Sequence, residues 1–170
     1  MTSSLGGKNC NKGCIIISQE VEGLKSLMLE KCKGCLLGLA VGDALGAPVE
    51  FLSLDAIRAR YGSGGITDFD SWDGFKPGSY TDDTQMSLAT AVGCIRAYQQ
   101  FRESGVFDAA GVVHRQYLEW LGSQNDPAER RAPGNTCLSA LRSGKMDTID
   151  RPINDSKGCG GVMRTAPVGL

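Results

Sequence analysis

Apolar residues recur at three- and four-residue spacing over most of the chain, and period-two alternation is nearly absent. That pattern predicts a mainly α-helical domain. Residues 1–20 read as a polar arm containing Gly, Asn and Lys, with a short strand or docking segment at Ile15, Ile16 and Ile17. From Val21 onward the stripe Leu24, Leu27, Met28, Cys32, Cys35, Leu36 and Leu39 predicts a first helix with these positions in the core. Within it Gly34, Gly38, Gly42 and Gly46 recur every fourth residue and share one face, where a neighbouring backbone can come close. An interior Gly costs about 1 kcal/mol relative to Ala, so four in register imply a packing or ligand reason. Gly46-Ala47-Pro48 ends or kinks the helix, because proline lacks the donor and clashes with the preceding turn.

A loop rich in Gly, Asp, Ser and aromatics occupies 62–78. A second helix is expected from 81 to about 101, with Met86, Leu88, Val92, Ile95 and Tyr98 inward, and a third over 108–122 with Val113, Tyr117, Trp120 and Leu121 on its stripe. A turn-rich linker with Pro127 and Pro133 spans 125–135, a short helix follows at 136–143, and a Gly-rich loop covers 154–161.

Composition narrows the function classes. With 170 residues, 41% hydrophobic and 22% charged, the chain suits one soluble globular domain that needs no covalent staples. Eighteen basic residues against nineteen acidic ones leave a net charge of −1, and no Lys/Arg block restores the electrostatic footprint of a nucleic-acid binder. No apolar run approaches the ~18 residues of a membrane span, and residues 1–11 lack the apolar core of a secretory signal. Seven cysteines at irregular spacing point to a reduced, cytoplasmic chain. The one histidine, His114, argues against His-rich metal sites and a Ser-His-Asp triad. On the predicted third helix it reads most simply as a surface or half-buried side chain.

Three segments can carry chemistry. In Thr81-Asp82-Asp83-Thr84, two hydroxyls bracket two carboxylates at a helix start. Such residues cap free N–H groups and complement the dipole. Adjacent carboxylates repel, though, and an all-oxygen cluster equally suits Mg²⁺ or Mn²⁺. Both readings stand. In Gly42-Asp43-Ala44-Leu45-Gly46-Ala47-Pro48-Val49-Glu50, Asp43 interrupts an apolar helix and Glu50 lies just past its break. These are either a buried Asp bonded to a backbone amide with a solvated loop Glu, or a pair of acids suited to general acid/base work. In Lys157-Gly158-Cys159-Gly160-Gly161-Val162-Met163-Arg164 the glycines expose backbone N–H groups and Arg164 offers a planar fork, as a plain turn or an anion cradle. Cys10, Cys14, Cys32 and Cys35 form a weaker zinc-ribbon pattern, opposed by the core positions expected for Cys32 and Cys35. Asp68, Asp70 and Asp73 fail as an EF-hand loop, since Trp72 takes the fifth position and no Glu closes it.

Together these segments resemble the ADP-ribosylglycohydrolase family. The residues carrying the resemblance run from Gly34-Cys35-Leu36-Leu37-Gly38 through Gly42-Asp43 to Pro48-Val49-Glu50-Phe51, then Tyr80-Thr81-Asp82-Asp83-Thr84-Gln85-Met86, then Ala132-Pro133-Gly134-Asn135-Thr136, and last Asn154 to Arg164. The four motifs follow in order, and the resemblance covers Leu24 to Leu170.

The resemblance implies an all-α, compact orthogonal multi-helix fold around a dinuclear magnesium centre, with Mn²⁺ as a substitute ion, and hydrolysis of the glycosidic bond joining ADP-ribose to a protein side chain or a related derivative. Carried over by motif, Thr81, Asp82 and Asp83 are the metal ligands, with Asp83 also catalytic. Glu50 is a catalytic group beside the ribose and the attacking water. Asp43, Gly158, Cys159, Gly160, Gly161 and Met163 become substrate-binding residues, the glycine segment holding the diphosphate through N–H groups. Members of the family are longer and complete the metal shell with a second acidic cluster near their C-terminus. Residues 21–170 therefore read as the N-terminal portion of such a domain, apparently truncated. Two rivals remain: a non-catalytic, crystallin-like member of the same fold, and a small zinc-binding module built on the four N-terminal cysteines.

Overall fold

The computed structural model describes the backbone of residues 10–146, 148 and 150–170, and side chains from residue 20 onward. The chain falls into two units, Met1–Cys35 and Leu36–Leu170. Helix α1, Cys10–Gly46, begins in the first and ends in the second. Ile15, Ile16 and Ile17 thus have helical backbone, which corrects the expected strand. No proline interrupts the stretch before Pro48, so nothing stops the helix from extending back to Cys10.

Much of the stripe expected to be core is open along α1. In the first unit Leu24, Leu27 and Met28 are more than half exposed, Cys35 is exposed and Cys32 half-buried. In the second, Leu36 and Leu39 of the stripe are half-buried, beside exposed Leu37 and Val41 and buried Ala44. Nor does the glycine face receive a neighbour: no described atom lies within 4 Å of where a Cβ would stand at Gly34, Gly38, Gly42 or Gly46.

The remaining helices all lie in Leu36–Leu170. Helix α2, Leu54–Tyr61, buries no residue and was not legible as a stripe; Ser53 Oγ starts it by accepting the Ala56 N–H at 3.2 Å. Helix α3, Asp82–Ser104, starts at the Thr81 cap and stops at Gly105, whose left-handed φ of 74° suits glycine. Helix α4, Ala109–Ser123, is capped by Asp108, which accepts the Gly111 N–H at 2.9 Å. Helix α5 is Asn135–Arg142, and 3₁₀ segments follow at Cys159–Arg164 and Ala166–Gly169. Helix ends expected from the sequence agree to within a residue or two, except the start of α1, expected near Val21 and found at Cys10, and the end of α3. The described residues form no sheet, only isolated bridges at Trp72–Phe75 and Thr148–Arg151. No helix among them is long and apolar enough to cross a membrane.

Helices α3 and α4 pack through Gly93, where a Cβ would come within 2.7 Å of Val113 Cγ2. This contact decides which face of α3 is inside. The buried positions are Met86, Ser87, Thr90, Gly93 and Ala97, whereas Leu88, Val92, Ile95 and Tyr98 are exposed. Only Met86 of the five expected inward residues is in the core. The small-residue face wins because it admits α4 closely and because Thr90 meets Tyr117 Oη there at 2.7 Å. On α4 the expected stripe is buried or half-buried, and Trp120 joins Met86, Leu138 and Leu141 in the core. Its indole N–H donates to Gln85 Oε1 at 3.0 Å, so burial leaves no donor unpaired.

Between α2 and α3 the chain is held by a tight turn. Trp72 and Phe75 exchange N–H···O=C bonds of 2.7 and 3.3 Å around Asp73 and Gly74, whose φ values of 43° and 81° are those a two-residue hairpin turn demands. The Trp72 indole N–H donates to the Ser79 carbonyl at 2.9 Å, and Asp70 accepts from Arg60 and the Tyr61 hydroxyl at 2.8 and 2.9 Å.

Candidate active site

A cleft of about 830 Å³ opens within Leu36–Leu170. Its wall includes Glu50, from the turn after α1, and Thr81, Asp82 and Asp83, from the start of α3. It also includes Gly158, Cys159, Gly160, Gly161 and Met163, from the first 3₁₀ segment and the residue before it. Every sequence-derived site residue except Asp43 therefore lines one cavity, although the segments are far apart in the chain.

Asp43 has a different place. Its carboxylate accepts from the Thr81 and Thr84 N–H groups at 2.9 and 3.1 Å, from Thr81 Oγ1 at 2.8 Å, and from Thr84 Oγ1. Both oxygens are engaged, and the residue does not line the cleft. Of the alternatives open for Asp43, the geometry is that of an acid bonded to backbone amides.

Because Asp43 and Thr81 cap α3, its first-turn acids are released from that work. Thr81 Oγ1 accepts the Asp83 N–H at 3.1 Å while donating to Asp43, which leaves the hydroxyl one lone pair. Buried Asp82 reaches the segment before α5, accepting the Gly134 N–H at 3.1 Å and donating its own N–H to the Arg131 carbonyl at 2.9 Å. The half-buried Asp83 carboxylate receives no hydrogen bond among the described residues.

Electrostatics follow from that arrangement. Burial, then the charges of Asp82, Asp43 and Glu50, push Asp83 up to about 6. Burial likewise raises Asp82, against the pull of its bond from Gly134. No three His, Cys, Asp or Glu side chains among the described residues converge as a ready-made cage. What the cleft offers is two adjacent carboxylates with Glu50 nearby. Mg²⁺ commonly takes one or two carboxylates and completes its shell with water and substrate oxygens.

The glycine segment is anchored from below. Fully buried Ser87 donates to the Met163 carbonyl at 2.9 Å, and the place of a Cβ on Gly160 lies 2.8 Å from Cys137 Sγ. The Gly158 N–H already donates to Ser156 Oγ at 3.3 Å, whereas nothing stands within 4 Å of a Cβ on Gly161. Arg164 turns partly inward: its guanidinium lies 4.4 Å from the Tyr117 ring centre and donates to Met86 Sδ at 3.5 Å. Its fork is therefore less free for an anion than the sequence suggests. Arg60, Trp72, Asn135, Thr136, Cys137, Asn154 and Ser156 also line the cleft. Sequence reasoning gave them no role. Asn135 and Thr136 lie inside a quoted motif, and Arg60 on a helix the periodicity did not show.

The model of the ADP-ribosylglycohydrolase family matches residues 25–170. The chain belongs to that family. Among its relatives, an uncharacterized protein of Archaeoglobus fulgidus is 36% identical over 146 residues, covering 84% of this chain and 43% of the relative. The ADP-ribosyl-[dinitrogen reductase] glycohydrolase of Rhodospirillum rubrum is 35% identical over 143 residues, covering 83% and 44%. The ADP-ribosylarginine hydrolase Tri1 of Serratia proteamaculans is 41% identical over 75 residues, covering 43% and 19%. The chain thus spans less than half the length of these ADP-ribosylglycohydrolase relatives. The all-α fold expected for the family agrees with the described helices.

Proposed function

We propose that this cleft binds the ADP-ribose moiety of an ADP-ribosylated protein or a small ADP-ribose derivative, and serves hydrolysis of the bond at its anomeric carbon with the help of Mg²⁺ or Mn²⁺. The observation that carries this reading is the Asp82–Asp83 pair, an acidic wall in which the Asp83 carboxylate has like charges around it and no hydrogen-bond donor among the described residues. Hard oxygen donors of this kind fit a divalent magnesium-like ion. Asp82 and Asp83 hold it, with the spare lone pair of Thr81 as a further donor. A bound ion supplies Lewis acidity and orientation of the ribose hydroxyls.

The residues of the chain do the rest. Glu50 stands on the cleft wall beyond the Pro48 break and takes a proton from the attacking water as the oxocarbenium-like ribose is captured. The segment 158–161 and Met163 contact the diphosphate side, chiefly through the open Gly161. A relative named for dinitrogen reductase favours a protein substrate and one named for ADP-ribosylarginine an arginine acceptor, and the irregular cysteine spacing favours a reduced, cytoplasmic setting.

The test is Mg²⁺-dependent release of ADP-ribose from an ADP-ribosylarginine substrate. Glu50→Gln should lower turnover by about 10²–10⁴ while ADP-ribose binding persists. Equal turnover by the variant, or release indifferent to chelation of divalent ions, would sink the reading.

A further inference from the structure

Two of the cysteines stand in the wall of the cleft. Cys137 lies on α5, half-buried, and Cys159 opens the 3₁₀ segment, exposed. Both adjoin Gly160, Cys137 through space and Cys159 along the chain. The missing Cβ of this glycine is what makes room for Cys137 Sγ, which stands 2.8 Å from that empty position. Consecutive Cα atoms lie ~3.8 Å apart, and a disulfide spans a Cα separation of about 4.4–6.8 Å. Cys159 is flanked by Gly158 and Gly160, which give its backbone the conformational freedom to adjust.

We propose that Cys137 and Cys159 form an oxidation-sensitive thiol pair whose disulfide pins the glycine segment to α5. The oxidant is a hydroperoxide. Exposed Cys159 attacks its outer oxygen to give a sulfenic acid and water (or alcohol). Cys137 then attacks the sulfenic sulfur, a second water leaves, and the S–S bond closes, so two thiols are oxidised and one peroxide is reduced. Burial holds the Cys137 thiol above the usual cysteine range, with Arg164 opposing. This suits Cys137 to the second, resolving step, since the more exposed sulfur meets the oxidant first. Both residues line the cavity, so the link changes the wall that faces a ligand. That part rests on the function proposed above; the disulfide itself does not.

The experiment treats the native 170-residue chain with hydrogen peroxide and maps its peptides without reduction. The expected product has lost two hydrogens and joins the Cys137 peptide to the Cys159 peptide, in preference to pairs involving Cys10, Cys14, Cys32, Cys35 or Cys94. The preference should vanish when the chain is oxidised in guanidinium chloride. In Cys137→Ser the sulfenic acid at Cys159 should persist and react with dimedone; in Cys159→Ser the link should be absent. Circular dichroism checks that both variants fold. If native Cys137 and Cys159 stay reduced, or pair elsewhere, while other cysteines oxidise, the pair is refuted. ADP-ribose should bind the oxidised chain roughly tenfold more weakly, with recovery on adding dithiothreitol. Formation of the link with unchanged ADP-ribose affinity overturns control of the cleft. Absence of ADP-ribose binding in the reduced chain overturns the proposed function and that control together, while the peptide map still decides the thiol pair.

Discussion

Asp43 and Thr81 are joined twice. The Thr81 N–H donates to Asp43 Oδ2 at 2.9 Å and its hydroxyl to Oδ1 at 2.8 Å, and Thr84 adds its own N–H at 3.1 Å. A carboxylate from the last turns of α1 thus caps the first turn of α3. Charge-assisted bonds at a helix N-terminus rank among the stronger polar contacts, and loss of their acceptor strands donors on buried residues. Asp43→Ala should therefore destabilise the chain by about 2–4 kcal/mol, read from urea unfolding. A variant of normal stability with reduced ligand affinity would return Asp43 to the role expected from the family motif.

Asp83 should behave in the opposite sense. Its carboxylate has like charges around it and no donor of its own among the described residues. Asp83→Asn keeps the shape and removes the charge, so the ion-free chain should become modestly more stable while calorimetry shows at least a roughly tenfold weaker Mn²⁺ affinity. Unaltered Mn²⁺ binding would remove Asp83 from the proposed metal site.

The same repulsion fixes a pH dependence. Asp83 titrates at about 6 in the folded chain against a usual 3.8, so over that interval the native state holds a proton that the unfolded state gives up. Without divalent ions, Tm should rise as pH falls from above 6 toward 4, and the slope should flatten in Asp83→Asn. Asp70 works the other way. Its carboxyl is held below the usual range by the Tyr61 hydroxyl first, so its contribution is present above the ordinary carboxylate pKa and fades in stronger acid. Saturating Mg²⁺ should reverse the trend near pH 6, because protons then compete with the ion. Tm curves with and without chelator check both signs.

Glycine substitutions should separate two faces. A methyl at Gly93 meets Val113 Cγ2 at 2.7 Å and its Cα at 2.8 Å, and backbone cannot step aside cheaply. Gly93→Ala should cost about 1–3 kcal/mol despite its better helix propensity. Gly42→Ala meets nothing within 4 Å and should stabilise the chain by about 0.5–1 kcal/mol. Equal effects at the two sites, in thermal or urea unfolding, would contradict the observed α3–α4 contact.

Thr81 and Asp108 sit where side-chain caps are chemically required, so the starts of α3 and α4 were legible, whereas the left-handed stop at Gly105 was not. Nor was the inward face of α3. Leu88, Val92 and Ile95 are the more hydrophobic stripe, yet α4 approaches through Gly93, and closeness with paired hydroxyls at Thr90 outweighs apolar area there. Helix α2 is too short, and buries too little, to produce a stripe. In the cleft, residues with unusual chemistry for their place, such as the doubled aspartates and Glu50, could be singled out from the chain alone. The partners of Asp43 could not, because the bond to Thr84 crosses 41 positions.

Asp82 grips the chain before α5 from two sides, through Arg131 and Gly134, across Ala132, whose φ of 50° is rare for a residue with a Cβ, and buried Pro133. A charge that draws electron density from this carboxylate slackens its hold on the Gly134 peptide. Occupancy at the acids is thereby carried through a single bond to the residue that opens another helix. The Gly134 amide becomes a built-in reporter: its proton and nitrogen resonances should track cation and ligand titrations with no label placed in the cleft.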